Sequence, residues 1–337
     1  MKTRLLSICL VAILLFSVTS CAFFAQPNDQ KSDDLTINVY TLNGTTGFGM
    51  AKLMNDAKNG STSQKYDFSV QTDASNVTAA LLNGSADIAA LPTNAAANIY
   101  NKSEGGVVVL AVNTLGCLYL LTNQNETITS FADLRGKTVY VPAQNPTFIF
   151  TYLCKQNGLT VGEDITINSS TYAQPAALKD AVASGLVDIA VLPEPMVTIA
   201  TNTVKNANNG TVLTTAMDLT AEWNKVSAAN SLVQGCVVVR RAFLEEHPEA
   251  VEDFLNEYKV SIEFLSTDVD AAAQMIVDNG IFTSAPVAKK ALPKCNVCFL
   301  DGAEMKTAMN TYLGILFGIA PASIGGKLPA DNFYYAR

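Results

Sequence analysis

The segment DIAALPTN, Asp87 to Asn94, returns later in the chain as DIAVLPEP, Asp188 to Pro195. The likeness extends upstream, where ALLNGSADIAALP and AVASGLVDIAVLP each carry an apolar helical stretch, a Gly (84 and 185), an Asp three residues on, and a Leu-Pro end. A helix, a glycine turn and a short apolar strand are half of a parallel βαβ unit. Working outward, NVY at 38–40 corresponds to TVY at 138–140, Met50 to Phe150 and Leu53 to Leu153. The spacing from NVY to the DIA strand is 49 residues, and from TVY it is 50. The chain therefore reads as two similarly built α/β lobes.

The rest of the first lobe follows from periodicity. LTINVY (35–40), YDFSVQT (66–72), DIAAL and GVVVLAVNTL (106–115) read as strands, and Asn76 to Asn83 as a helix. FADLRGKTVYVPAQNPTFIFTYLCKQNGL opens the second lobe. After it come an Asn/Thr-rich stretch at 201–215, expected to be irregular, and a strand, GCVVVRR. In HPEAVEDFLNEYKVSIEFL, residues Val251, Phe254, Leu255, Tyr258, Ile262 and Leu265 share one face of a long amphipathic helix. Helices at 269–279, 284–291 and 302–317 complete the chain. Because the second lobe is already complete, this last third is expected to return to the first. The predicted fold is thus α/β: two similar lobes with mixed, mostly parallel sheets flanked by helices and hinged around a central cleft. The division is 35–125 plus 236–337 for lobe one and 126–235 for lobe two, with crossings near Thr122–Ser130 and Ser231–Gly235.

Composition sets outer bounds. With 337 residues, 49% of them hydrophobic and 15% charged, the chain can bury a sizeable core. The N-terminus, MKTRLLSICLVAILLFSVTSC, has two positive charges, an apolar run from Leu5 to Phe16 and a polar end at a cysteine, the three parts of a secretory signal. Residues 1–20 are read as a signal peptide. Val18-Thr19-Ser20-Cys21 resembles the bacterial lipobox, which implies cleavage before Cys21, its lipidation and a polar tether over 21–34. Without Lys2 and Arg4 the chain holds 20 basic and 30 acidic residues, a net charge of −10. Such a surface repels phosphate backbones and argues against a nucleic-acid partner.

The residues that could carry chemistry are few. Five cysteines remain beyond the signal: Cys117, Cys154, Cys236, Cys295 and Cys298. An odd number does not suggest a disulfide framework, although Cys295/Cys298 or Cys117/Cys236 could pair. Cys117 and Cys236 each precede an apolar run and read as small buried hydrophobes. The single histidine, His247, stands before Pro248, which is placed to open a helix. No metal ligand set, cofactor site or catalytic constellation is legible.

FADLRGKTVYVPAQNP with its downstream LCKQNGL, ASGLVDIAVLPEP, and VVVRRAFLEEHPEAVEDFLNEY together resemble the type II periplasmic-binding-protein superfamily, and within it the nitrate/sulfonate/taurine and thiamine-precursor branch of ABC-transporter solute receptors. The resemblance runs from about Leu35 to about Phe317. It implies an exported monomeric receptor, lipid-anchored to the outer face of the membrane or periplasmic, that closes on a small solute and delivers it to an ABC permease without chemistry of its own. The same branch resembles pyrimidine synthases that use their own histidine and a pyridoxal cofactor, and a lone histidine at a helix start argues against that activity. A sensory or partner-binding receptor is the remaining alternative.

In open parallel sheets solutes bind beyond the carboxyl ends of the strands, at helix N-termini. That places Asn43, Gly44, Thr45 and Thr46, and Pro92, Thr93 and Asn94, on the first lobe's side of the cleft. The second lobe contributes Gln144, Asn145, Pro146 and Thr147, and Glu194 with Pro195. Each can equally be an ordinary turn or capping residue. None of the four loops holds Lys or Arg, whereas Glu194 offers a carboxylate, so an amine or nitrogen heterocycle is slightly preferred to sulfonate or nitrate. Trp223 is read as core, although it and Asn230 could also line the cleft.

Overall fold

The computed structural model describes residues 35–207 and 212–337. The signal peptide, Cys21 and the tether lie outside the described residues. From Thr36 onward the chain forms one compact unit.

Eleven strands are present among the described residues: β1 (Thr36–Leu42), β2 (Lys65–Gln71), β3 (Ile88–Pro92), β4 (Val107–Thr114), β5 (Leu118–Asn123), β6 (Thr138–Tyr140), β7 (Thr166–Asn168), β8 (Ile189–Pro193), β9 (Leu213–Asp218), β10 (Gly235–Arg240) and β11 (Val297–Leu300). They build a six-stranded sheet in the order β11-β4-β10-β3-β1-β2 and a five-stranded sheet in the order β7-β6-β8-β5-β9. Within the first, β2-β1-β3 is parallel; within the second, β7-β6-β8 is. The other pairings are antiparallel, so both sheets are mixed and parallel pairing is confined to the repeated βαβ part.

The antiparallel strands reveal an exchange. β5 follows β4 in sequence but inserts between β8 and β9 in the second sheet, while β10 follows β9 and inserts between β3 and β4 in the first. The sequence reading kept residues up to 125 with the first lobe. Pairing of Leu118–Asn123 with β8 and β9 moves the first crossing to residues 115–117. An apolar run such as CLYLLT announces a strand but carries no record of which distant strand it will meet. The second crossing enters the first sheet at Gly235. The two crossings are hydrogen-bonded to each other, Gln234 N to Thr114 O (2.9 Å) and Cys117 N to the Gln234 side-chain oxygen (2.8 Å). Gly116 has no room for a side chain, since a Cβ there would lie 2.2 Å from Thr220 Oγ1 and 2.5 Å from Leu232.

The repeated Gly of the DIA motif has a conformational cause. Gly84 ends the helix Ala74–Asn83 at φ 82°, and Gly185 has φ 78° in the matching turn, a left-handed backbone that other residues adopt at a cost. The two DIA aspartates differ in role. Asp87 is buried and accepts from Asn38 N and Nδ2 (3.0 Å each) and from Arg240 Nη2 (2.8 Å). Asp188 is exposed and is bonded by the side chain of Asn123.

The stretch expected to be irregular, 201–215, is instead ordered at both ends. The helix Met196–Ala207 runs through its start, burying Val197, Ala200 and Val204 at helical spacing, and β9 begins at Leu213. The helix Pro248–Thr267 buries all six residues of the predicted stripe. A continuous hydrophobic core joins the two sheets: Leu42 and Leu91 from the first, Val141, Ile149 and Phe150 from the second, and Trp223 and Tyr312 between. Trp223 is fully buried, packs against the rings of Tyr152 (4.8 Å) and Tyr312 (5.9 Å), and donates Nε1–H to Ser231 Oγ at 2.8 Å. It is core, as expected. Asn230 lies exposed in a turn.

Candidate functional site

The first predicted loop follows β1. Asn43 is exposed and Gly44 N donates to Ile281 O (3.0 Å), which fixes the loop against the C-terminal part of the chain. Thr45 is buried, and its hydroxyl donates to the main-chain oxygen of Glu194 at 2.9 Å. This is a direct bond between loops carried by different sheets. Thr46 O accepts from Asn113 Nδ2 (3.2 Å), whose amide also meets Tyr258 OH (3.0 Å).

After β3, Pro92 leads into the helix Thr93–Lys102, which no side chain caps. Thr93 N is bonded to Gln234 O (3.2 Å). The Thr93 hydroxyl lies beside the Cys236 thiol without a hydrogen bond of ordinary length, and Asn94 Oδ1, on a residue 8% exposed, is buried with no partner. A buried carbonyl oxygen left unpaired costs about 1–3 kcal/mol; Thr41 Oγ1, Thr93 Oγ1, Asn101 Oδ1, Thr220 Oγ1 and Arg240 Nε are likewise buried without a partner.

On the opposite side, Gln144 is exposed at φ 66° and precedes the helix Asn145–Gln156, again without a side-chain cap. Asn145 is buried and accepts the Tyr312 hydroxyl at 2.6 Å. Thr147 turns its hydroxyl back to Pro142 O (2.8 Å), within its own loop.

Glu194 stands at the start of the helix Met196–Ala207 with a fully buried side chain. One carboxylate oxygen accepts from Thr198 N and the other from Thr198 Oγ1, both at 3.0 Å, so the residue caps its own helix. Lys294 Nζ approaches to 4.0 Å. Burial holds this carboxyl above the usual carboxylate range against the opposing pull of the Thr198 N–H and hydroxyl and of Lys294 and Lys290.

Sequence reasoning brought Thr45 and Glu194 to one place but overlooked the groups contributed by the last third of the chain. Tyr312 reaches Asn145, Lys294 reaches Glu194, Lys290 Nζ donates to Asn202 Oδ1 (2.6 Å), and Tyr119 OH donates to Lys294 O (3.0 Å). Tyr312 sits among Met305, Met309, Leu313 and Leu316 on a helix whose stripe reads as plain core, and its phenol oxygen was the one visible signal. The expected absence of Lys from the four loops holds for the loops alone, because Lys294 enters from outside them.

The arrangement offers peptide N–H groups at two uncapped helix starts, one after each sheet's leading strands, together with amide and hydroxyl side chains and one internally satisfied carboxylate. Among the described residues no group of three or more His, Cys, Asp or Glu could hold a metal ion.

The profile of the family described as ABC transporter, phosphonate, periplasmic substrate-binding protein matches residues 50–280. The chain belongs to this family. As a member it is a solute-binding receptor of an ABC importer, extracytoplasmic by family and partnered by a membrane permease. Solved structures carry the same fold. An ABC transporter from Parabacteroides distasonis is 23% identical with a TM-score of 0.73, covering 90% of this chain and 100% of that one. The periplasmic aliphatic sulphonate binding protein SsuA from Escherichia coli is 15% identical with a TM-score of 0.68, covering 86% and 95%. The alkanesulfonate-binding protein SsuA from Xanthomonas axonopodis pv. citri, bound to MOPS, is 14% identical with a TM-score of 0.59, covering 88% and 94%. No curated protein sequence matches the chain. No helix among the described residues is long and apolar enough to cross a membrane.

Proposed function

We propose that this receptor captures a small organic solute bearing both an acidic or polar head and an N–H donor, of the amino-substituted phosphonate or sulfonate class, and that it does so by closure of the two sheets about the crossings at 115–117 and 231–235. The observation that carries the reading is the unpartnered, buried Asn94 Oδ1, an acceptor that calls for a donor on the solute, which a fully ionised sulfonate head does not carry. The head group is received by N–H groups at the starts of helices Thr93–Lys102 and Asn145–Gln156, which need no cation to hold an anion. The Glu194 carboxylate, on the second sheet's side, favours a donor on the solute, although Thr198 and Lys294 already answer much of its charge. The relatives' names supply the head: phosphonate for the family and sulphonate for the neighbours. The contacts Thr45–Glu194 and Tyr312–Asn145 then act as closing contacts. The receptor works as a monomer anchored through Cys21, so Cys21→Ala should shift it from the membrane to the soluble fraction, and an unchanged membrane fraction would count against the anchor.

Thermal-shift measurements with paired solutes test the ligand class: an aminoalkyl phosphonate or sulfonate against the same acid without the amine. A solute at a hundredfold its dissociation constant adds about 2.7 kcal/mol, enough to raise the midpoint by roughly 2 °C or more. The amino member of each pair should bind at least tenfold more tightly, and Asn94→Ala should erase the difference. Equal affinities within every pair would refute the donor requirement.

A further inference from the structure

Two buried thiols outside the solute contacts share one neighbourhood. Glu194 N donates to Cys117 O at 2.9 Å, which continues the β5–β8 ladder by one residue. Cys117 and Glu194 are therefore opposite each other, with side chains on the same face of the sheet. The Thr45 hydroxyl lies 2.9 Å from Glu194 O and 3.6 Å from Cys295 Sγ, so one hydroxyl links the Cys295 sulfur to the main chain of Glu194. The segments bearing the two cysteines also run side by side. Leu115 N donates to Asn296 O (3.0 Å), Asn296 Nδ2 to Gly116 O (2.5 Å) and the Tyr119 hydroxyl to Lys294 O (3.0 Å), contacts that flank both cysteines.

The other thiols are directed elsewhere. Cys236 Sγ donates to Leu91 O (3.8 Å) and Cys298 Sγ to Val112 O (3.9 Å), each toward its own neighbouring strand. Cys154 is buried in the helix Asn145–Gln156. Pairings such as Cys117/Cys236 or Cys295/Cys298 would pull a thiol out of these positions.

From this geometry we infer that Cys117 and Cys295 form a disulfide when the protein folds outside the cytoplasm, tying the first crossing between the sheets to the segment that carries Lys294. The family is periplasmic, and disulfides persist in such compartments. The step is an ordinary exchange with a small disulfide such as oxidised glutathione. One cysteine thiolate attacks it and releases a glutathione thiolate, and the second cysteine thiolate then displaces the other glutathione. The two cysteines lose two protons and two electrons, and the oxidant is reduced to two thiols. Exchange takes place during folding, because in the folded chain burial pushes the Cys117 thiol up to about 12 and holds Cys295 well above the ordinary thiol range, with Cys117 the next cause.

The test is refolding of the protein in a glutathione redox buffer, followed by alkylation of free thiols and peptide mapping. Cys295 and Cys298 leave trypsin on one peptide, so the map is repeated in Cys298→Ala and Cys295→Ala. The expected result is a cross-linked pair of peptides containing Cys117 and Cys295, retained in Cys298→Ala and lost in Cys295→Ala, with Cys154 and Cys236 alkylated. The oxidised protein should melt about 5 °C or more above the reduced protein, a difference absent from Cys117→Ser. Cys117 and Cys295 both alkylated after oxidative refolding, or Cys117 linked to Cys236, would overturn the inference. The melting comparison between the two redox states of the unaltered chain does not depend on any variant folding.

Discussion

The two halves are built from one plan and finished differently. In the first, the aspartate of the DIA motif is buried and answered by an arginine, and the helix after the motif starts uncapped above an unpaired Asn94 oxygen. In the second, the aspartate is exposed beside an asparagine, and the helix after the motif is capped by its own Glu194. The first half thus spends its charge at the foot of the strand and leaves the head open, whereas the second closes its head and leaves its foot to solvent. Repetition supplies the frame, and the departures from it make the two halves unlike at the strand ends.

The largest expected effect tests the foot of the strands. Asp87→Ala leaves Arg240 and the Asn38 N–H without their partner and should cost about 3 kcal/mol in denaturant unfolding, whereas Asp188→Ala should cost about 1 kcal/mol or less. Equal losses would mean that the two aspartates do the same work after all. Next comes Tyr312→Phe, which removes the bond to Asn145 and should cost about 1 kcal/mol while weakening solute retention. A faster dissociation rate with unchanged association would locate the loss in the closed state. The smallest effect concerns the self-capped head. A carboxyl whose folded pKa is raised binds more protons folded than unfolded, so its presence makes stability fall as pH rises from the unfolded value of about 4.3 to the higher folded one. Glu194→Gln lacks this fall. Its melting temperature relative to the parent should therefore rise between pH 4 and pH 7, and a gap independent of pH would show that Thr198 and Lys294 fully offset the burial.

Local features were legible in the sequence to the extent that they are encoded locally. The glycine turns at 84 and 185, the stripe of the helix Pro248–Thr267 and the paired βαβ units depend on residues within a few turns of one another. The Val197, Ala200, Val204 spacing was also present, but it was obscured by the Asn and Thr residues among which it lies. β11, four half-buried residues after a short turn, lacks any alternation that would announce it. What no local pattern contains is partner choice. Nothing in CLYLLT points to β8, nothing in Tyr312 points to Asn145, and nothing in Lys294 points to Glu194, because each meeting is decided by how distant segments pack. Candidate site residues followed the same rule: the loops were placed by strand-end logic, while the groups that answer them came from the far end of the chain.

The exchange of β5 and β10 bears on the order in which the molecule can be assembled. Strands β5 to β9 occupy an uninterrupted stretch, from Leu118 to Asp218, so the second sheet has all its members as soon as that stretch is available. The first sheet begins earlier and finishes last: β3 and β4 cannot be joined until Gly235–Arg240 arrives between them, and the outer side of β4 stays bare until Val297–Leu300. A chain emerging N-terminus first therefore carries an open side on β3 and two on β4 until Gly235–Arg240 arrives, and one on β4 thereafter until Val297–Leu300, the kind of edge that invites pairing with another chain. The half that emerges first is thus the half that cannot close by itself.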